Sequence, residues 1–323
     1  MASEGNMNGS KVADMNPCSA AYNSEPSVLC LLLYVFLGIV SFITVCGNLL
    51  VIISIFYFKQ LHTPTNALIL SLAVADLLVG LLVFPFTMVL FVNSCSYSGN
   101  LACQVRGSFD VSLSTCSILN LCCISVDRYY AVCQPLTYRS KINQRVVLIM
   151  VTFCWSLSAI IGIIYLVVEM HSQECGEECF AHIFVVTSFS PFFSFYMPVV
   201  IMLCIYLKIL IVAQRQARII HNTTKSGAAV SRKERKATKT LATVMGVFLL
   251  CWLPFFICLS SSPYFQKDPV PTSLFEALNW LTLSNSMLNP FIYAFFYSWF
   301  RAAFRMIICG KIFRGDFANS KLS

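Results

Sequence analysis

The sequence predicts an all-α fold: a seven-transmembrane helix bundle with the N-terminus extracellular and a short amphipathic eighth helix after the last span. Three observations predict it. First, 58% of the 323 residues are hydrophobic and 11% are charged, whereas a soluble domain is nearer half apolar and a quarter charged. Mean hydropathy is +0.75. This excludes a water-soluble enzyme, a disordered chain and an ordinary nucleic-acid binder. Second, seven segments are apolar over the roughly 20 residues that a helix needs to cross a hydrocarbon core. Third, lysine and arginine are segregated between alternate connections, which sets a direction for the chain.

The spans are read at 28–58, 66–92, 104–133, 146–168, 181–207, 240–263 and 273–298. The first is uncharged, and no cleavable signal peptide precedes it, so it reads as an uncleaved signal anchor. The second carries Asp76 in LSLAVADLLVG. The third carries Asp110 and closes on Asp127 and Arg128 in DRYYAV. The fourth holds Trp155, the fifth Pro198 in FYMP, the sixth Pro254 in CWLPF and the seventh Pro290 in NPFIY. Membrane helices tolerate such prolines where neighbours re-satisfy the backbone. Ten-residue alternating strands, the mark of a membrane barrel, are absent from the sequence. The chain thus divides into an extracellular segment (1–27), a seven-span domain (28–298), and an amphipathic helix with a cytoplasmic tail (299–323).

Only Lys11, Arg106 and Lys267 fall on the predicted outer side; the other 19 of 22 basic residues fall on the inner side. The basic stretch 208–239, with Arg232, Lys233, Arg235, Lys236 and Lys239, reads either as an anchor on anionic membrane lipid or as a docking surface for a cytoplasmic partner. The excess of positive charge needs no nucleic acid. Residues 169–180 form an acidic outer connection.

Ionisable side chains inside spans are costly and are functional candidates by default. Asp110 lies 17 residues before Asp127, about 25 Å along a helix, and therefore near the outer mouth. There it suits a small organic cation. Arg106, one turn above, is either its structural partner or free to snorkel outward. Val111 follows Asp110, and Ser114 lies one turn below on the same face. Ser190 and Ser194 are one turn apart on the fifth span, as ligand-facing or backbone-bonded hydroxyls. Trp252, Phe255 and Phe256, at i, i+3 and i+4, form an aromatic floor suited to a cation or an aryl ring, or plain helix packing. The four histidines have no metal-ligand spacing and no hydrolase motif is present, so an enzyme is not expected. A transporter relaying protons through Asp76 and Asp110 is a rival reading, as is a receptor for a lipid or a peptide amine.

In order along the chain, GNLLV with Asn48, LAVAD with Asp76, DRY at 127–129, Trp155, FYMP, CWLPF and NPFIY at 289–293 resemble the signatures of class A, rhodopsin-like G-protein-coupled receptors. NSMLNPFIYAFFYSWFR (285–301), KERKATKTLATVMGVFLLCWLPFFIC (233–258) and ISVDRYYAVCQPL (124–136) are similar to trace amine-associated receptors, as is GKIF (310–313). The divergence from that pattern suggests a fish-like olfactory member. The resemblance implies a small amine agonist, a heterotrimeric G protein of the stimulatory class and a rise in cyclic AMP; an aminergic receptor of another subgroup is the alternative. It makes Asp110 the amine-holding residue. It makes Asp127, Arg128, Tyr129, Tyr206, Glu234, Phe248, Pro254, Asn289, Pro290 and Tyr293 the switch and coupling residues. Asp76, Ser117, Asn285 and Asn289 match a cluster that holds an allosteric sodium ion in relatives, with a water-filled polar network as the alternative. No other cofactor is expected. Cys103 and Cys179 match a disulfide, and Cys18 and Cys175 a second, with Cys95 competing. Asn8 is a glycosylation site by its sequon, and Cys309 is a candidate for palmitoylation. Two departures stand out. Ser96 replaces a usual tryptophan, and Leu283 replaces a tyrosine that bonds the aspartate in relatives, with Asn279 one turn above as a polar substitute.

Overall fold

The computed structural model describes residues 28–92, 101–171, 190–223, 228–261 and 271–310. In chain order, α1 is Val28–Tyr57 and α2 runs from Pro64–Leu78 through a wide π turn, Val79–Val83, into Phe84–Val92. Leu101–Cys133 forms α3 and Gln144–His171 forms α4, with a single turn at Tyr138–Lys141 between them. A second π turn, Phe192–Tyr196, leads into Met197–Thr223, together α5. Ala228–Ser261 is α6, Thr272–Phe296 is α7 and Ser298–Ile308 is α8.

Local chemistry sets several of these ends. Thr63 caps α2, its hydroxyl accepting from the Asn66 amide, with Pro64 in the first turn, where its missing N–H costs nothing. At the end of α7 the Arg301 guanidinium donates to the carbonyls of Ala294 and Phe295 at 3.0 and 3.1 Å, satisfying acceptors that the helix leaves open. Gly310, at φ +63°, stops α8 in the left-handed conformation that glycine adopts without strain.

The helices pack in a closed ring. α1 lies against α2 and α7, α2 against α3, α5 against α6, and α6 against α7, while α3 is central and touches α2, α4 and α5. The burial pattern is inverted relative to a soluble protein. Leu31, Leu32, Phe36 and Phe42 of α1 and Leu148, Ile149, Phe153 and Ile163 of α4 face outward, more than half exposed. Thr44, Asn48, Asp76, Ser117, Asn120 and Asn289 are buried. Only an apolar surround suits that surface. Among the described residues, six helices are long and apolar enough to cross a membrane. The seventh, α7, is diluted by Glu276, Asn279, Asn285 and Asn289, whose polar side chains it presents within the ring.

The described spans differ from the predicted ones mainly on one side. α5 runs on to Thr223, well past the predicted end of its span, and α6 begins at Ala228 rather than near 240. The basic stretch is therefore mostly helical, because lysine, arginine and alanine are good helix formers and a helix needs no hydrocarbon to continue. Cys103 is disulfide-bonded, while Cys18, Cys95, Cys175 and Cys179 lie outside the described residues, as do Asn8 and Ser96. Among the described residues ten cysteines are free thiols, including Cys116, Cys154, Cys251 and Cys258, packed in the interior as small apolar residues, and Cys309, exposed after α8.

Candidate functional site

Three polar clusters are strung along α3, from its N-terminal end to its C-terminal end. The first surrounds Asp110. Its carboxylate accepts from the Ser114 hydroxyl at 3.3 Å, and the Asn279 side chain of α7 faces it. The Arg106 guanidinium stands 3.5 Å from the other carboxylate oxygen. Of the two readings open for Arg106, pairing is the one found, because i and i+4 stack on one helix face. Asn279, the polar residue one turn above Leu283, is on the side of α7 that faces Asp110. Leu283 itself is fully buried, packed with Leu37, Val40, Val79, Val83, Phe84 and Leu113, so it lines an apolar cluster.

The serines and aromatics near this level divide. Ser194 is buried and its hydroxyl donates to the Ser190 carbonyl at 2.8 Å, the backbone-bonded alternative. Ser190 is half-buried. Phe256 is stacked on Phe195 of α5, with ring centroids 3.9 Å apart and planes 7° off parallel. Trp252 follows at 6.0 Å and Phe248 at 6.5 Å beyond it. These four rings form one column joining α5 and α6. Phe255 turns instead toward Phe275 of α7, at 5.0 Å. Phe195 was not singled out in the sequence, since the run PFFSFY offers three similar phenylalanines. Trp252 Nε1 is buried with no acceptor among the described residues.

The second cluster is mid-membrane. Asp76 is fully buried; Asn289 donates to one oxygen at 2.7 Å and Ser117 to the other at 3.1 Å, with Ser286 hydrogen-bonded as well. Asn285 is buried beside them, its amide nitrogen without an acceptor. Asn48 bridges α1 to α7 through the Ser286 carbonyl at 3.1 Å.

The third cluster closes the C-terminal end of α3. Asp127 is fully buried. Arg128 Nε donates to it at 2.9 Å, and Arg128 Nη2 is paired with the same oxygen. Thr65, at the start of α2, donates to Asp127 at 3.0 Å and accepts from Arg128 at 2.7 Å. Tyr138, from the turn before α4, donates to Asp127 at 2.8 Å. Burial raises the Tyr138 phenol above its ordinary pKa, so it remains a donor at physiological pH. The sequence missed both Thr65 and Tyr138. Tyr206 hydrogen-bonds Ser125 at 3.0 Å, and Tyr293 packs edge-on against Tyr297 and Phe300. Lys208 lies 5.8 Å over the Tyr129 ring. Glu234 is on α6, in a stretch whose side chains fall outside the described residues.

A seven-helix ring with buried acids at these three levels can be compared with known proteins. The family described as 7 transmembrane receptor (rhodopsin family) matches residues 47–293. The chain belongs to that family. Its relatives include trace amine-associated receptor 1 of Macaca mulatta, 44% identical over 90% of this chain and 91% of the relative. Trace amine-associated receptor 2 of Rattus norvegicus is 43% identical over 87% and 86%. Trace amine-associated receptor 4 of Mus musculus is 40% identical over 94% of each. The protein is a rhodopsin-family receptor, then, and not an enzyme: a multi-pass membrane protein whose family works with a ligand on one face and a G protein on the other.

Proposed function

We propose that this receptor is switched on by a small protonated amine held at Asp110, with the N-terminus outside the cell, and that it signals through a stimulatory G protein to raise cyclic AMP. The observation that carries this reading is Asp110 itself. It is a largely buried carboxylate on the central helix, supported by Ser114 and Asn279, in a setting where a bare charge is expensive. An ammonium there forms a charge-assisted hydrogen bond. The names of the relatives point to the same ligand class.

The column Phe195–Phe256–Trp252–Phe248 lies between α5 and α6, and Pro254 interrupts α6 within it. A ligand shifts the balance of two states only by its differential affinity for them. Contacts at Asp110 and along α5 favour a state in which these rings repack and α6 pivots at Pro254. The Asp127–Arg128–Thr65 cluster then opens, Arg128 is released toward the G protein, and Tyr206 and Tyr293 support the open form.

The Asp76 cluster fits an allosteric sodium ion. Carboxylate, hydroxyl and amide oxygens are hard donors, and the unpartnered Asn285 amide is free to turn its oxygen inward. The ion would be held by Asp76 and Ser117 with Asn285 and Asn289 beside them.

The decisive experiment is Asp110→Ala. Amine-evoked cyclic AMP should vanish at unchanged surface expression, and an unaltered dose response would sink the assignment.

A further inference from the structure

Arg106 is unusually placed for a residue in the mouth of a cation site. Its guanidinium is 3.5 Å from Asp110, beyond normal hydrogen-bonding distance. Its Nε is buried with no acceptor among the described residues. The pair is thus an ion pair without a close hydrogen bond, and an orphaned donor of this kind weakens the state that contains it. A second acid is at hand. Glu276 on α7 is one turn above Asn279, which faces Asp110, just as Arg106 is one turn above Asp110 on α3. The two are not paired in this state, but the Arg106 charge is felt at Glu276.

We propose that Arg106 determines amine specificity: it is the resident counter-ion of Asp110, passes to Glu276 when a ligand ammonium takes its place, and thereby tunes the site to monoamines over diamines. The inference rests on the amine reading of Asp110. The charges decide it. Asp110, Glu276 and Arg106 sum to one negative charge. A monoamine cancels it, leaving two pairs, ammonium with Asp110 and guanidinium with Glu276. A diamine whose second ammonium extends toward the mouth meets Arg106 and competes with it for Glu276. Repulsion between two such cations a few ångströms apart in a partly buried site is worth a factor of about ten or more in affinity.

The test uses the full-length receptor in cells and matched ligands differing by one ammonium: hexylamine with 1,6-diaminohexane, and 2-phenylethylamine with its para-aminomethyl analogue. Potency is read in a cyclic AMP assay, and binding as the ligand-induced thermal shift of the purified receptor. The native receptor should prefer each monoamine by about tenfold or more. Arg106→Gln should abolish or invert that preference at normal surface expression, and Arg106→Lys, which keeps the charge, should retain it. Glu276→Gln should weaken monoamines several-fold in the native background and have no effect alongside Arg106→Gln. A monoamine-to-diamine ratio in Arg106→Gln that stays within twofold of the native ratio, while Asp110→Ala abolishes both ligands, overturns the role of Arg106 and leaves the amine site standing. If Asp110→Ala leaves both responses intact, the amine site falls and this proposal falls with it.

Discussion

At the scale of single residues, the resting state of the proposed switch depends on how Asp127 is held. Five donor–acceptor contacts reach it from three elements, two from Arg128, two from Thr65 and one from Tyr138. Each hydrogen bond from a neutral donor to this carboxylate contributes about 1.5 kcal/mol or more. Tyr138→Phe should therefore raise ligand-independent signalling about tenfold, read as basal cyclic AMP per surface receptor. Thr65→Val should raise it further, because Thr65 serves Asp127 and Arg128 together. In the Asp76 cluster, replacing sodium in the medium by a bulky organic cation should raise agonist potency, and Asp76→Ala should erase that sensitivity. The acids themselves were legible in the sequence, because a charge inside an apolar run is conspicuous. Asn279 was legible too, as the polar residue a turn above Leu283. Thr65 and Tyr138 were not. An ordinary threonine at a helix start and a tyrosine in a polar turn carry no signal of their own, and their partner lies 62 and 11 residues away.

At the scale of elements, helix identity was readable from hydropathy, but helix extent on the basic side was not. Hydropathy marks where lipid ends and says nothing of where backbone hydrogen bonding ends, so α5 and α6 outrun their predicted spans. The π turns in α2 and α5 were also invisible, since Val79–Val83 and Phe192–Tyr196 are unremarkable apolar pentapeptides. Close helix contacts are set by small residues. A β-carbon on Gly162 of α4 would come within 2.8 Å of the Ser112 side chain and 3.1 Å of the Ser108 carbonyl. The Ser108 hydroxyl already donates to the Gly162 carbonyl at 2.7 Å. Gly162→Val should force α3 and α4 apart, costing about 1–3 kcal/mol or more. The expected outcome is reduced surface expression and a lower melting temperature in detergent, whereas Gly246→Ala on α6, where nothing lies within 4 Å, should leave both unchanged.

At the scale of the whole molecule, polar groups run through the centre and apolar groups clothe the outside. Among the described residues, the three clusters along α3 are joined to neighbouring transmembrane elements by hydrogen bonds from their own members or immediate neighbours: Asn48 from α1, Thr65 and Asp76 from α2, Ser108 to α4, Ser125 to α5, and Asn289 from α7. Aromatic packing joins α6 to α5, as does Tyr196, which donates to the Phe256 carbonyl at 3.0 Å and pairs with the Ser260 hydroxyl at 2.6 Å. Tyr196 thus ties α5 to the helix that moves in the proposed switch. Tyr196→Phe, which removes both hydrogen bonds, should accordingly raise basal signalling about fivefold or more, without lowering maximal agonist response.

The π turns carry a consequence for how this chain can change by insertion or deletion. Each holds one residue more than a regular helix would use over the same rise. Loss of a single residue within Val79–Val83 converts that turn to ordinary α-helix while leaving the helix continuous, so the membrane span survives. Phase survives too. In a regular helix such a loss turns everything beyond it by about 100°, but here the wide turn takes it up, and Phe84–Val92 would keep the same face toward the ring. A length change that ruins most transmembrane helices would here be absorbed within a single turn.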